Sequence, residues 1–343
     1  MERYLGLDVH AESSTLVVLS AAGKRIGEHV LETNGHALVE AIRAIPGRKH
    51  LCFEEGTQSA WVYEILSPHV HDAVVTSVRG ARGPKSDARD AGSLAEKLRT
   101  GAIERRVFKA PGAFSELREL ARTHTALSRD LVRVQARLKS VYRSRGVRAV
   151  GQTVYGAKRR AQWQEQLPHS AQLRARSLYE QLDFLVELKE RAEHALVREA
   201  RKHPVCHQLQ SVPGLGPIRV ARMVPIVVTP HRFRTRAQFW SYCGLGIVQR
   251  SSADWVRTAQ GQWVRAQVQR TCGLNRAHNP VLKDVFKGAA TTVVTHLHST
   301  AMYQEYSQCL EAGTRPNLAK LTLARKIAST ALALWKKGET YSL

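Results

Sequence analysis

The sequence predicts three parts in series: an α/β domain at residues 1–105, a basic helical arm at residues 106–203 and a mainly α-helical domain at residues 204–343. Three observations lead to this prediction. Strand and helix patterns alternate in the first part, a long apolar heptad repeat occupies the second, and helical periodicity dominates the third. A chain of 343 residues also exceeds one ordinary hydrophobic core, which favours two or three domains.

The first part begins with a three-strand pattern. RYLGLDVH is an apolar run that ends in a charge, and STLVVLSAAGKRIGEHVLE contains two strands joined by a glycine-containing turn. Helix and strand patterns then alternate through GHALVEAIRAI, HLCFEEG, SAWVYEILS and DAVVTSV, and a last helix runs from about Asp87 to Leu98. The order β-β-β-α-β-α-β-α, beginning with a meander, is typical of an RNase H-like mixed sheet flanked by helices.

The second part carries an apolar seam. Its positions step alternately by three and four residues, and His124 is the only polar residue among them. The seam comprises Leu117, Leu120, His124, Leu127, Leu131, Val134, Leu138 and Val141. A second amphipathic helix, from about Leu173 to Ala200, has compatible spacing, so the two helices could pack on each other or on another protomer. We therefore expect a coiled-coil arm that joins protomers into a dimer or tetramer.

The charge of the chain predicts a nucleic-acid partner. There are 52 Lys+Arg against 29 Asp+Glu, a formal net charge of +23, and such a surplus attracts polyanions. Nine basic residues and no acidic one lie between Leu131 and Arg160: Arg133, Arg137, Lys139, Arg143, Arg145, Arg148, Lys158, Arg159 and Arg160. A one-sided run repels itself unless phosphates neutralise it, so we favour nucleic-acid contact over a solvated face or an anionic membrane surface.

A glycine-rich turn opens the third part. SVPGLGPIRVARMV places Gly214 and Gly216 directly before a helix pattern, which is typical of a helix-hairpin-helix that binds a backbone phosphate. A plain tight connection is the alternative. More helices are expected after RFRTRAQFWSYCGLGIVQRSSADW, ending with an amphipathic helix from Asn317 to Gly338.

Composition and cysteine usage predict a cytoplasmic protein. No run approaches eighteen apolar residues and the N-terminus does not resemble a signal peptide, so no membrane partner is expected. The five cysteines form no C-x-x-C pair, which favours buried free thiols over a disulfide framework or a zinc site. HPVCH offers three metal ligands, but ligands so close in sequence rarely converge.

Carboxylates at predicted strand and helix ends form a candidate metal site. Asp8 ends the first strand, Glu54 and Glu55 close the fourth, and Asp87 and Asp90 open the last helix. In an RNase H-like sheet these three places converge on one edge. Carboxylates at that density repel one another unless cations are present, and oxygen ligands suit Mg²⁺ or Mn²⁺. Such ions stabilise attack at phosphorus.

Each carboxylate also has a structural alternative. Asp87 is a good helix N-cap, Asp90 favours the helix dipole, and Glu55 could be an exposed loop carboxylate. Asp8 has the weakest alternative, because an unpaired charge inside a central strand is costly. Between the two helix residues, Asp90 is the better candidate ligand, because capping alone would explain Asp87.

The motifs resemble those of a known family. LGLDVH, FEEG and KSDARDA resemble the D-E-D-D motifs of bacterial insertion-sequence transposases with a RuvC-like N-terminal domain, whose relatives are the pilin-gene-inverting recombinases. SVPGLGPIRVARMV, FWSYCGLGIVQRSS and LARKIASTALALWKKG resemble their C-terminal domain, so the resemblance covers essentially the whole chain in order. It implies that Asp8, Glu54, Asp87 and Asp90 bind the metal, with Glu54 fitting the family register better than Glu55.

The resemblance also implies a serine nucleophile. YCGLGIVQRSSAD places Ser252 at the expected distance after the Y-x-G-L motif, with Ser251 as the alternative. Ala253 replaces the glycine usual there, and TCGLNRAHNP replaces a Gly- and Arg-rich stretch, which points to a diverged subgroup. Without the resemblance, the two serines are a turn or a helix cap. The implied partners are donor and target DNA and a non-coding guide RNA that pairs with both, in a bacterial cytoplasm at the nucleoid.

The motifs and the resemblance together predict a DNA transposase, and the resemblance implies that it cuts and rejoins strands through a phosphoserine intermediate with metal assistance. One rival is a metal-dependent nuclease of the Holliday-junction-resolving type, in which water attacks. The other is a nucleic-acid-binding relative that has no catalytic activity.

Overall fold

In the computed structural model, which describes residues 1–77, 86–107, 112, 114–250, 255–265 and 270–342, the alternating apolar residues of the first unit build a mixed sheet. The strands are β1 (Glu2–Val9), β2 (Ser13–Ser20), β3 (Arg25–Glu32), β4 (Arg48–Glu54), β5 (Asp72–Thr76) and β6 (Arg106–Val107). Their order among the described residues is β3-β2-β1-β4-β5-β6, with β1 antiparallel to β2 and parallel to β4. The predicted meander and mixed sheet are confirmed, and the short β6 was not predicted.

Helices cover both faces of this sheet. They are α1 (Gly35–Ala44), α2 (Ser59–Leu66) and α3 (Asp87–Arg99). Leu38 of α1 and Val62 of α2 join Leu5 and Leu7 of β1 in one buried cluster. Ala91 of α3 belongs to a second cluster with Val17 and Leu19 of β2, which alternate along that strand with residues of the first cluster. Because successive strand side chains point to opposite faces, α1 and α2 lie on one face and α3 on the other.

The second unit, Phe114–Leu343, is mainly helical, as predicted. Its helices are α4 (Ser115–Arg143), α5 (Arg160–Glu165), α6 (His169–Ala200), α7 (Pro204–Gln210), α8 (Pro217–Val227), α9 (Arg236–Tyr242), α10 (Pro280–His296), α11 (Ala301–Glu311) and α12 (Pro316–Lys337). Local capping fixes several of them: the Thr235 hydroxyl accepts a hydrogen bond from the Gln238 N–H, completing a capping box at α9.

The long helices α4 and α6 pack on each other and contribute to two separate cores. Val134 and Leu138 of α4 pack with Leu178 and Leu182 of α6 in one core. Leu117 of α4, in the first turn, belongs instead to the larger core that α6, α7, α8, α10 and α12 share. The seam therefore serves intramolecular helix packing, whereas the coiled-coil arm, its role in oligomers and the division at residue 203 remain predictions.

Short strands interrupt the second unit, which was expected to be mainly helical. They are β7 (Ile247–Arg250), β8 (Trp255–Arg257), β9 (Trp263–Arg265) and β10 (Arg270–Leu274). Two antiparallel pairs form, β7 with β10 and β8 with β9. The helices expected after Trp255 are α10, α11 and α12, but short strands come before them, because WVR and WVR are β-forming triplets separated by a Gly-containing turn.

Each of the five cysteines, all within the described residues, is a free thiol. Cys52, Cys206 and Cys243 are buried as expected, and burial raises the pKa of the Cys206 thiol to about 12. Cys272 is exposed, contrary to the expectation for it. Within the described ranges, no helix has the length and apolar character that a membrane span requires.

Candidate metal and active site

Two carboxylates lie at the carboxyl ends of β1 and β4. The strands are parallel neighbours and Leu7 pairs with Phe53, so Asp8 and Glu54 are the next residues along each strand. Glu54 also pairs with a residue of β5, whereas Glu55 follows the end of the strand. The strand register thus favours Glu54 over Glu55 as the neighbour of Asp8, although the choice of ligand remains a prediction.

The side chains of both strand ends belong to the face that α3 covers. A Cβ atom on Gly6 would lie 1.8 Å from the Ala91 carbonyl oxygen, so the backbone of α3 lies directly on β1. Cys52, opposite Gly6 on β4, packs with buried leucines of α3. Asp8 and Glu54 each lie two residues further on, and therefore face the same side.

The first turn of α3 brings two more carboxylates to this edge. Ser86 has extended backbone angles and its carbonyl accepts hydrogen bonds from the N–H groups of Arg89 and Asp90, so Ser86 occupies the N-cap position. Asp87 is the first helical residue, and the N-cap alternative for Asp87 is therefore wrong. Both aspartates lie in the first turn, where the helix dipole favours negative charge.

His10 completes the group and was missed in the sequence. Its Nε2 atom lies 3.2 Å from Asp8 Oδ2 and 3.4 Å from Asp87 Oδ1. His10 comes two residues after Asp8, just past the end of β1. The period-two spacing of strand side chains was the available signal, because it places residues 8 and 10 on one side of the chain.

The electrostatics of Asp8 reflect a crowded acidic edge. Its side chain is only 18% exposed. Burial raises the pKa of the Asp8 carboxyl above its ordinary value, the nearby His10 opposes that change, and the negative charges of Asp87 and Asp90 raise it further. Burial and the neighbouring negative charges thus disfavour the ionised form of Asp8. A cation bound beside this carboxyl would favour the ionised form instead.

The donor atoms fit a divalent cation. Ligand atoms of Asp8, His10 and Asp87 all lie within 4.8 Å of one another, and theirs is the one such group among the described residues. HPVCH accordingly forms no comparable group there. Carboxylate oxygens dominate the set, the charge of Asp90 also acts on Asp8, and oxygen-rich sites suit Mg²⁺ or Mn²⁺. Glu54 ends the strand beside that of Asp8. The structure places Asp87 in the group, although the sequence favoured Asp90 over it.

The predicted nucleophile, Ser252, and its alternative, Ser251, lie outside the described residues. The strands on either side are described: β7 ends at Arg250 and β8 begins at Trp255. Arg250 pairs with Arg270 at the end of the β7–β10 ladder. The segment that carries the two serines therefore connects two antiparallel strand pairs, and the role of Ser252 remains a prediction.

Most of the basic run is exposed. Arg133, Arg137, Arg143, Arg145, Arg148, Lys158 and Arg159 are exposed, and Lys139 is half-buried with its Nζ atom over the Tyr155 ring. Arg160 differs, because its guanidinium donates hydrogen bonds to Asp183 and lies over the ring of Tyr179. The ion pair with Asp183 raises the pKa of Arg160. Arg160 thus has a structural role, and nucleic-acid binding by the run remains a prediction.

The glycine-rich turn connects α7 to α8. Gly214 has a φ of +83°, and a Cβ there would lie 2.6 Å from the Ala289 carbonyl oxygen of α10. Gly214 therefore has a packing role, since only glycine fits both the backbone angle and the close approach. Gly216 precedes α8 and a Cβ there would meet nothing within 4 Å. Of the two, Gly216 leaves more room for the predicted phosphate.

Two family models match the chain in series. A model of the DEDD transposase domain of the IS110 type, described as "Transposase", matches residues 5–144. A model described as "Transposase IS116/IS110/IS902 family" matches residues 206–307. No curated protein matches the chain. The first match contains the acidic edge around Asp8, and the second contains Ser252 and strands β7 to β10.

Proposed function

We propose that the chain is the DNA transposase of an insertion sequence that cuts and rejoins strands through a phosphoserine intermediate. The support is that two transposase family models of the IS110/IS116 type match it in series. Ser252 is the proposed nucleophile. Asp8, Glu54, Asp87 and Asp90 are the proposed ligands of Mg²⁺ or Mn²⁺.

The observation that carries this proposal is the acidic edge of the first unit. Residues far apart in sequence, at positions 8, 10 and 87, bring their ligand atoms to within 4.8 Å of one another. Glu54 ends the neighbouring strand in register with Asp8. A mixed sheet that begins with a meander and presents carboxylates at this place supports an RNase H-like, RuvC-like assignment for the first unit.

The carboxylates would hold the cation, which supplies positive charge to stabilise the charge that develops on a phosphate undergoing displacement. In the proposed step, the Ser252 hydroxyl loses its proton as Oγ attacks the scissile phosphorus, the P–O bond to one sugar oxygen breaks, and that oxygen takes up a proton. The hydroxyl of a second strand then loses its proton and attacks the phosphorus, the bond to Ser252 Oγ breaks, and Oγ takes up a proton, which restores the phosphodiester and the free serine. His10 holds the carboxylates of Asp8 and Asp87 in place through its contacts with both.

The proposed nucleophile and the proposed metal ligands lie in different units. We infer that they act together within one chain or between protomers of a dimer or tetramer. The exposed arginines of α4 and of the segment after it are proposed to contact DNA phosphates. Sequence choice is assigned to a non-coding guide RNA that pairs with donor and target DNA, while the protein contacts backbone and shape.

One experiment tests both halves of the proposal. Ser252→Ala should abolish covalent protein–DNA adducts, detected as protein-linked labelled DNA on denaturing gels, with Ser251→Ala as the matched control. Asp8→Asn should abolish Mg²⁺-dependent strand joining and leave DNA binding unchanged, with Glu40→Gln on α1 as its control. Adducts formed by Ser252→Ala would exclude this nucleophile, and cleavage of branched DNA by that variant would support a nuclease in which water attacks.

A further inference from the structure

The β8–β9 hairpin exposes two indoles on one face. Trp255 is 57% exposed and Trp263 is 66% exposed, which makes them the two most exposed tryptophans of the chain. The register pairs Trp255 with Arg265 and Arg257 with Trp263. Because paired residues and residues two apart share a face, Trp255, Arg257 and Trp263 lie on the same side of the hairpin.

These indoles do not serve a hydrophobic core. Neither belongs to a buried cluster, and among the described residues neither ring contacts another aromatic ring. Burial of a tryptophan side chain is among the most stabilising hydrophobic contributions to folding. The two exposed indoles of this eleven-residue hairpin do not make that contribution. Paired exposed aromatics of this kind indicate a binding surface.

The hairpin is fixed by its own hydrogen bonds. The N–H of Thr258 donates to the Gln262 carbonyl at 2.8 Å, and the N–H of Gly261 donates to the Thr258 carbonyl at 2.9 Å. Arg257 Nε donates to the Gly261 carbonyl at 3.2 Å, which holds the guanidinium beside the turn. The other N–H groups of this guanidinium can donate hydrogen bonds to a ligand. A phosphate is a common hydrogen-bond acceptor for arginine.

Charge identifies the partner as an anion. From Arg250 to Arg276 the sequence contains five arginines and one acidic residue, Asp254. An apolar protein partner would leave these guanidinium groups without counterions, whereas a nucleic-acid strand supplies phosphates and flat base faces together. Diagonal positions on an antiparallel pair are about 7–8 Å apart, close to two base steps, so each indole can stack on a separate base.

We propose that Trp255 and Trp263 form a stacking platform for unpaired DNA bases, with Arg257 contacting the neighbouring phosphate. Base faces are hidden in a duplex and become available only where strands separate, so the platform binds single-stranded DNA and not the duplex. This inference rests on the proposed role in cutting and rejoining DNA, where separated strands must be held. It assigns a binding function to the hairpin next to Ser252 in sequence and does not depend on that serine.

The test measures DNA binding by the full-length protein with a chelator present, so that no cleavage takes place. The probe is a fluorescent single-stranded oligodeoxynucleotide of about 16 nucleotides, compared with its duplex and with RNA of the same sequence. Trp255→Ala/Trp263→Ala should weaken single-strand binding by about tenfold or more and change duplex binding by less than about twofold. Trp255→Phe/Trp263→Phe should keep single-strand affinity to within about threefold, because a phenyl ring still stacks.

Val264→Ala is the matched control, because Val264 lies on the opposite face of the same hairpin and is 40% exposed. It should bind like the wild type. Equal losses on single-stranded and duplex DNA would overturn the inference, as would a larger loss on RNA than on DNA. A change of oligomeric state in the double alanine variant, measured by sedimentation, would also overturn it, since the indoles would then contact a second copy.

The result is independent of the proposed chemistry. If Ser252→Ala keeps its covalent adducts, the proposed function fails, yet single-strand binding through the hairpin stands. If the double alanine variant binds single strands as tightly as the wild type while Ser252→Ala loses its adducts, only the stacking platform fails. The melting temperature of each variant, expected to be unchanged because the indoles are exposed, excludes unfolding as the cause of a loss.

Discussion

Asp8 and His124 both interrupt an apolar pattern, and the structure places them in opposite surroundings. Asp8 stands at the end of a central strand in the first unit, and its side chain is 18% exposed beside other carboxylates. His124 stands in the middle of a leucine seam in the second unit, where its side chain is 5% exposed. In the sequence the two residues give the same signal, a polar residue where an apolar one is expected.

The surroundings of His124 are closed and contain both signs of charge. The Glu193 carboxylate of α6 lies 3.6 Å from His124 Nε2 and is itself bonded to Lys189 at 2.9 Å. Within the described residues, neither ring nitrogen of His124 has a hydrogen-bond partner. Burial lowers the pKa of His124, and the positive charges of Lys189 and of Arg222 on α8 lower it further, against the opposing effect of Glu193.

The difference lies in the secondary structure that carries each residue. A strand ends at a sheet edge, where neighbouring strand ends and a helix N-terminus converge and leave room for a ligand. A position in the middle of a long helix packed on others is enclosed on every side. A polar residue that interrupts an apolar pattern at the end of a strand therefore indicates a binding site. The same interruption in the middle of a packed helix indicates a buried polar group without a ligand.

The largest loss of stability is expected at Gly6, where strand β1 lies directly against the backbone of α3. Gly6→Ala would place a Cβ atom 1.8 Å from the Ala91 carbonyl oxygen and 2.7 Å from the Ala95 nitrogen, and neither backbone group can move without moving α3. We expect a loss of about 3 kcal/mol or more in the free energy of unfolding, measured by denaturant titration.

Gly92→Ala is the matched control for Gly6→Ala. Gly92 lies on α3, and its Cβ would meet the flexible end of Arg25 at 3.3 Å and Val17 Cγ1 at 3.9 Å, an ordinary contact distance. Alanine is the better helix former, so Gly92→Ala should gain about 0.5–1 kcal/mol. Equal effects of the two substitutions would contradict the direct contact between α3 and β1.

The elements of the first unit were predictable because each is short, strongly patterned and separated by clear turn residues. The acidic edge was predictable as well, since Asp8, Glu54 and Asp87 lie at element ends that the predicted order brings together. His10 was missed because a histidine just past a strand carries no apolar pattern. The two-residue β6 was missed because its pairing with β5 is a tertiary contact.

The second unit was predicted less completely. Strands β7 to β10 are three to five residues long and give too short an alternation to distinguish them from loops. The packing role of Gly214 could not be seen in sequence, because the close approach of α10 involves residues more than seventy positions away. In the sequence, Arg160 is one more member of a basic run, because its ion pair with Asp183 on α6 is a tertiary contact.

A metal titration sharpens the comparison between the two polar sites. Calorimetric titration of the wild-type protein with Mn²⁺ should show binding that Asp8→Asn loses, and His10→Ala should weaken it by about tenfold because the carboxylates lose their oriented contact. His124→Gln should bind Mn²⁺ like the wild type. Unchanged binding by Asp8→Asn would show that the acidic edge holds no metal.

The effect expected at His124 depends on pH and is smaller than that of Gly6→Ala. Because burial lowers the native-state pKa of His124 below its ordinary value of 6.5, the unfolded state binds the proton more tightly. The native state is therefore destabilised as pH falls below about 6.5, and this dependence disappears when the imidazole is removed. His124→Leu also replaces a buried polar group without hydrogen bonds by an apolar one that fits the seam.

We expect His124→Leu to raise the free energy of unfolding by about 1–2 kcal/mol at pH 5.5 and by less at pH 8, measured by urea titration at both values. His194→Gln, on the exposed side of α6, is the matched control and should keep the pH dependence of the wild type. A lower free energy of unfolding for His124→Leu at pH 8 would mean that the contacts of the imidazole stabilise the fold by more than the free energy that its burial costs. The contrast with Asp8 would then fail, because His124 would be a stabilising polar contact and not an isolated polar group enclosed by helices.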